Sequence, residues 1–469
     1  MGFGHDGPKP LIRPVEAETP EVRSDKMGSG PDPHFSMTRS RPEYNCRATP
    51  WVPERKELFR TLKVFAACAV LSSGFARSQG SAGQDESLPE GAGKRIAAAS
   101  CVSCHGVSRL LTPGYDREGW QDVISRMMNI GATVDPGKVP ILADYLAQNY
   151  PQKPQSAPTL VAGSAQISVK EFSVATPGAF PHDPLATADG SIWYTGQRAS
   201  VLGRVDPKTG AIKEYRTRTP DSGPHGLVAD TAGNIWFTAN YAAYIGKLDP
   251  RTGNVVEYKM PDSRARDPHT PVFDQKGVLW FTVQAGNMIG RLIPRTGEVT
   301  LVAAPTARAL PYGLVVNSKG IPFFAEFGTN QIANIDPGTM AIREYVLPNT
   351  GSRPRRVAIT SDDVIWYSDY ARGYLGRFDP NTGAAKEWAS PGGAGSQPYG
   401  ITALNDIIWY SESGVRPNTL VRFDPRSQKF QTWPIPSGGG VVRNMMPTHD
   451  SRLVLAESGV GKVALVDVK

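Results

Sequence analysis

Cysteine is scarce here: Cys46, Cys68, Cys101 and Cys104 are the only four in 469 residues. So few thiols, the last two separated by just two residues, exclude a disulfide framework. Charge is sparse and mixed as well. Charged residues make up 20% of the chain, and a net +7 is spread over 51 basic and 44 acidic residues without a Lys/Arg block. Nucleic-acid binding is therefore not expected. A permanent membrane span is not expected either, because the apolar run Val64–Leu71 is too short for one. That run follows a basic start (Arg55, Lys56, Arg60, Lys63) and precedes small residues near Ala76, the layout of a secretory signal over residues 55–76. The expectation is export to the periplasm or beyond, with cleavage after Ala76 or Ser78. Cys68 lies inside the run, where a lipidated cysteine is not expected. Residues 1–54 are polar and Pro-rich without a periodic pattern. They are expected to be an unstructured extension ahead of the true start, with translation beginning near Met37 or later.

Glycine and proline, by contrast, are plentiful at 48 and 41 residues, which implies many turns and many short strands. The chain is also too long for a single ordinary core, so two or more domains are expected.

Beyond a linker at 77–93, the stretch Cys101-Val102-Ser103-Cys104-His105 has the spacing for covalent haem c attachment. The two thiols add to the vinyl groups, and the adjacent imidazole reaches the iron. A zinc site would need two more soft ligands, which a chain cleaved after residue 76 does not supply as cysteines. A thioredoxin-like pair would need a βαβ context that is not present. Downstream, "DREGWQDVISRMMNIGA" predicts a helix capped by Asp116, with Trp120, Val123, Ile124 and Met127 on one face. A further helix starts at Asp135-Pro136 and ends at "NYP". The unit 94–150 resembles small cytochrome c domains, in which CxxCH is followed by Trp, by Met seven residues later, and then by Gly-Ala. That resemblance implies Met127 as the sixth iron ligand alongside His105, with the neighbouring Met128 as the alternative. Either methionine could also be core filler.

After a Pro/Ser-rich linker at 151–165, the chain repeats through 166–469. The segments "GSIWYTGQ", "GNIWFTAN", "GVLWFTVQ", "GIPFFAEF", "DVIWYSDY", "DIIWYSES" and "RLVLAESG" recur at steps of 43 to 45 residues. Each is followed by a unit such as "IGKLDPRTG". This period predicts an all-β seven-bladed propeller behind the small all-α domain. The last unit stops after its third strand. The strand "QISVKEFSV" ahead of the first unit should complete it and close the ring.

One register in the repeat carries candidate chemistry. Eleven residues before each Trp position (ten in the sixth unit) the chain reads His182, His225, His269, Tyr312, Arg355, Tyr399 and Arg443. Equivalent positions of a propeller form a ring around its channel, so these groups are expected to meet at one mouth as a ligand site. Each His could instead simply hydrogen-bond a neighbouring loop.

The repeats "PHGLVADTAGNIWFTAN" and "IGKLDPRTGNVVEY" resemble the virginiamycin B lyase (streptogramin lyase) family of seven-bladed propellers over essentially all of 166–469. The resemblance implies opening of a cyclic depsipeptide by elimination at its ester bond. A histidine takes the proton next to a carbonyl, and a carboxylate-held Mg²⁺ stabilises the enolate. Carried onto this chain, it places His269 as base, His225 as the substrate histidine, and Asp267 and Gln284 at the two metal positions. Gln284 replaces an acid, which weakens a hard-cation site. His182 and the acids Glu326, Asp369, Glu412 and Glu457 are rivals for these roles, the acids being equally readable as structural.

Three functions are then in competition. In the first, a periplasmic c-type cytochrome transfers electrons while its propeller binds a small-molecule or peptide-like ligand, or a redox partner, at the His/Tyr/Arg mouth. The second is a Mg²⁺-dependent lyase with an appended cytochrome. The third is a non-enzymatic docking platform for a redox protein. An elimination releases no electrons, so a haem serves the first reading better.

Overall fold

A row of alternating strands buries its edges only by closing into a ring, and the computed structural model, which describes residues 88–101, 114–129 and 131–469, shows that closure. The signal-like stretch, Cys46, Cys68, Cys104 and His105 lie outside the described residues. Among those described, 28 strands, β1 to β28 in chain order, form seven four-stranded antiparallel sheets, a seven-bladed propeller. Six sheets use consecutive strands. The seventh runs β1 (Ile167–Ser173), β28 (Lys462–Val468), β27 (Leu453–Glu457), β26 (Val442–Pro447). Val169 stands opposite Val466 and Phe172 opposite Val463, so the first strand of the propeller is the outer strand of its last blade.

Each blade follows from its repeat. The second strand, such as β7 (Ile235–Ala239) or β11 (Leu279–Val283), is buried along its whole length because it has a blade on either face. In four blades its Trp stacks on an aromatic residue of the fourth strand, as Trp236 does on Tyr258 with ring centroids 5.4 Å apart. The Asp-Pro-x-Thr-Gly turns close as Asx turns: the carboxylate of Asp206 accepts the Lys208 N–H at 2.9 Å, and that of Asp249 accepts the Arg251 N–H at 2.9 Å. The inner strands, among them β2 (Pro181–Ala186), β6 (Pro224–Ala229), β10 (Pro268–Phe273), β14 (Pro311–Val316), β18 (Pro354–Ile359) and β22 (Pro398–Leu404), each carry a register shift just after their first residue. Such a bulge turns the next side chain into the channel.

Among the described residues, three helices lie ahead of the propeller: α1 (Lys94–Ser100), α2 (Arg117–Asn129) and α3 (Val139–Asn149), the last entered through a 3₁₀ turn at Pro136–Lys138. The Asp116 side chain accepts the Gly119 N–H at 2.7 Å, and the Asp135 side chain accepts the Gly137 N–H at 3.0 Å, so both acids cap as their positions predict. Trp120, Ile124, Leu142, Tyr145 and Leu146 make a small shared core, and the Trp120 indole N–H donates to the Tyr150 carbonyl at 2.9 Å. Residues 151–165 are tied along the sixth blade. Val161 donates its N–H to Thr432 Oγ1 at 2.7 Å and accepts the Thr432 N–H at 3.0 Å, while Ser156 bridges Val415. No helix among the described residues is long and apolar enough to cross a membrane.

Candidate functional site

The bulge that aims each side chain inward leaves a main-chain N–H without a ladder partner, and the second strand supplies one. The hydroxyls of Thr195, Thr238 and Thr282 accept the N–H groups of Asp183, Gly226 and Thr270 at 3.0, 2.9 and 3.1 Å. The same hydroxyls donate to the carbonyls of His225, His269 and Tyr312 in the next blade at 2.6, 2.7 and 2.8 Å. Ser368 and Ser411 repeat the bridge to Tyr399 and Val442, both at 2.9 Å. Each is a buried, fully satisfied contact worth about 1 kcal/mol. Close packing of neighbouring inner strands completes the arrangement: a Cβ on Gly226 would fall 2.5 Å from the His269 carbonyl oxygen. The sequence reading missed the hydroxyls, although the Thr or Ser two residues past the Trp was the visible signal.

Held this way, four rings form a continuous tilted stack. The His182–His225, His225–His269 and His269–Tyr312 centroids are 3.6, 3.8 and 3.9 Å apart. Tyr312 and Tyr399 share a hydroxyl–hydroxyl hydrogen bond of 2.6 Å. Arg355 lies over Tyr399 at 3.7 Å from the ring centroid, and Arg443 over Phe180 at 4.7 Å. Burial, then the fields of Arg443 for His182 and of the neighbouring histidines for His225 and His269, hold all three imidazoles well below their usual value. They are therefore neutral at pH 7 and take up a proton less readily than a free imidazole. The His225 Nδ1 is buried without a hydrogen-bond partner.

Beneath the ring lies a polar plug that the sequence reading also missed. Asp183 and Arg356 belong to the first and fifth blades, which are not neighbours, so their contact crosses the channel. It is bidentate, at 2.6 and 3.1 Å, with both side chains almost fully buried. Asn444 donates to Asp183 at 2.9 Å, and His182 Nδ1 lies 2.9 Å from its other oxygen. Asp183, Arg356 and Asn444 share one register, the position just after the ring residues, but which of them meet depends on which blades face each other across the axis.

Of the seven register positions, His182, His225, His269, Tyr312, Arg355 and Arg443 line one cavity of about 530 Å³, while Tyr399 lies behind Tyr312 and Arg355. Cys101 and Met127 line the same cavity, together with Trp120, Ile124 and Leu146. Burial pushes the Cys101 thiol up to about 11. Met128 packs instead against the helical core. The helices meet the propeller through Asp122 and Arg198, paired at 2.7 Å.

The residues at the implied Mg²⁺ positions do not fit that ion. Mg²⁺ needs anionic oxygens. Asp267 is buried, accepts a hydrogen bond from the Asn240 side-chain amide, and is held well above the usual carboxylate range by desolvation. Gln284 brings no charge, and the cavity around both is rich in arginine. The rival acids do not line the cavity. Asp369 pairs with Arg372 at 3.0 Å, Glu412 accepts from Ser390 and Thr419 at 2.6 Å, and Glu457 accepts from Ser437 at 2.9 Å. Burial raises Glu326 to about 8 and Glu457 to about 7. These four acids serve the blades, not the mouth. His182, Asp183 and His225 have ligand atoms within 4.8 Å of one another, yet Asp183 is already saturated by Arg356 and Asn444.

The fold is shared with known proteins. A streptogramin B lyase structure is 25% identical with a TM-score of 0.59, covering 65% of this chain and 98% of its own. Virginiamycin B lyase from Staphylococcus aureus is 23% identical with a TM-score of 0.58, covering 64% and 99%. A catalytically inactive variant of that enzyme with quinupristin is 21% identical at 0.59, again covering 64% and 99%. Among curated proteins, no relative matches. The family profile of virginiamycin B lyase matches residues 160–411, more than half of the sequence and most of the propeller built above, so the chain belongs to the virginiamycin B lyase family.

Proposed function

We propose that this protein is an exported c-type cytochrome whose lyase-type propeller supplies one wall of the haem cavity and a ligand-binding mouth. The carrying observation is that Cys101 and Met127 line the same cavity as the His/Tyr/Arg ring. The residues fit a haem: the CxxCH cysteine at the end of α1 and an apolar wall of Trp120, Val123, Ile124 and Leu146 share a space of about 530 Å³, within the size range of cofactor sites. Cys101 and Cys104 would carry the porphyrin, and His105 and Met127 its iron. Met127 is preferred to Met128 because only the former lines the cavity. When bound, the haem supplies one-electron transfer at the relatively high potential of His/Met ligation. The propeller's own part is to exclude water from the mouth and to present neutral imidazoles and two arginines to whatever ligand or redox partner docks there.

The test is expression in a host that matures c-type cytochromes. One covalently bound haem per chain is expected. Met127→Ala should change the visible spectrum and lower the midpoint potential, whereas Met128→Ala should do neither. A protein isolated from such a host without a porphyrin adduct on the peptide containing Cys101 and Cys104 would sink the reading.

A second reading, ring opening of a cyclic depsipeptide by elimination, is favoured by one observation. His269 is buried and neutral, with the His225 ring 3.8 Å away. The acidic metal pair of the family chemistry is not formed by Asp267 and Gln284, which ranks this reading second. Incubation with quinupristin, with and without added Mg²⁺, separates the two: ring opening supports the lyase, whereas haem reduction or no reaction does not.

A further inference from the structure

Arg355 and Arg356 are neighbours in sequence and opposites in environment. Arg356 shows what a structural arginine looks like in this channel: buried, bidentate to Asp183 and charge-compensated. Arg355 has no acidic partner among the described residues. It is sandwiched instead by aromatic rings, 3.7 Å from the centroid of Tyr399, 4.3 Å from Tyr370, 4.8 Å from Phe327 and 5.0 Å from Tyr312. Arg443 is its companion, 6.0 Å from the same Tyr399 ring and likewise without an acid. The Nε atoms of both are buried with no hydrogen-bond partner.

Cation–π contacts hold a guanidinium by its face, and beyond the hydrogen bond that Arg355 shares with Tyr312, the Nε donors of both arginines remain unpartnered. The N–H edge of a guanidinium matches a carboxylate in a bidentate fork. The cavity carries the same message in its charge. Arg126, Arg266, Arg355 and Arg443 line it, and among the described residues Asp267, engaged by Asn240, is the single carboxylate in the lining. Cations concentrated in a concave, low-dielectric site without counter-charges attract an anion. The buried, unpartnered Nδ1 of His225 offers a further polar contact in the same space.

We propose that Arg355 and Arg443 form a carboxylate seat at the propeller mouth, for a carboxylate borne on a flat, apolar body. Two sources present that chemistry: the propionate of a haem in this cavity, and a free aromatic carboxylate. The inference deepens the proposed function, resting on its reading of the mouth as a ligand site, and its test has one arm for each source.

The holoprotein and its Arg355→Gln and Arg443→Gln variants would be compared in both arms. In the first, the haem midpoint potential is measured. If a propionate is the anion, removing either cation should lower the potential, with haem content and unfolding midpoint unchanged. In the second, benzoate is titrated by calorimetry, with neutral benzamide as control. If a free carboxylate is the ligand, benzoate should bind the wild type, benzamide should not, and each variant should bind benzoate at least tenfold more weakly. Either response supports the seat. Potentials identical across the three proteins, together with no benzoate binding or equal binding of benzoate and benzamide, would overturn it. Haem-free protein would defeat the cytochrome reading while leaving the benzoate arm to decide the seat. A variant that fails to fold is replaced by Arg355→Lys, which keeps the charge but not the fork and should weaken benzoate binding or shift the potential less than Arg355→Gln.

Discussion

The helical unit and the propeller secure themselves by different means. The propeller repeats one solution seven times: a fully buried second strand, a hydroxyl bridge to the next blade, and closure of the ring by β1 on β28. Each blade shares hydrophobic clusters with its neighbours, such as Trp236 and Leu279 between the second and third blades. The helices have one small cluster around Trp120, Leu142 and Leu146, and part of its surface faces the cavity. A unit of that size is marginal by its own burial and gains most from a bound cofactor. The small helical core is thus set beside a ring whose closure rests on its own blades.

The comparison is broken most completely by removing the two cysteines proposed to carry the haem. Cys101→Ala/Cys104→Ala should abolish haem binding and strip amide-exchange protection from α2 and α3, while protection of the blade strands stays. Uniform loss across both regions would show that the ring depends on the cap. The propeller's own weak point is next in size. Arg356→Met leaves Asp183 buried and unpaired and should cost about 3–5 kcal/mol in denaturant unfolding. Adding Asp183→Asn should recover part of that loss, because the stranded charge is removed. An Arg356→Met variant as stable as the wild type would mean that the channel plug is hydrated and contributes little. The smallest effect is expected from Thr238→Val, which strands the Gly226 N–H and the His269 carbonyl and should cost about 1–3 kcal/mol. Its signature is at the mouth: a changed His269 ring resonance by NMR, with the helical resonances unmoved.

Much of the fold was legible along the chain. The steps of 43 to 45 residues, the Asp-Pro turns and the orphan strand ahead of the first unit all report local periodicity, which sequence displays directly. The capping roles of Asp116 and Asp135 were equally visible, since a cap acts within three residues. The site was legible only as a register. Nothing in a column of His, Tyr and Arg distinguishes Arg355, which is aromatic-bound, from Arg356, which is salt-bridged, and the column leaves Arg356 and Asp183 out entirely. Nor could it show that Asp267 is buried beside Asn240, with desolvation holding it well above the usual carboxylate range.

By itself, then, the sequence determined the number of blades, the closing strand, the Cys-x-x-Cys-His spacing and the set of side chains able to reach the channel. All of these follow from contacts within one repeat or one short motif. Tertiary structure alone decided which of those side chains keep a charge, which acid meets which arginine across the axis, and that Cys101 and Met127 share a cavity with the ring. Those outcomes depend on desolvation and on distances between residues more than a hundred positions apart, and a linear pattern carries neither.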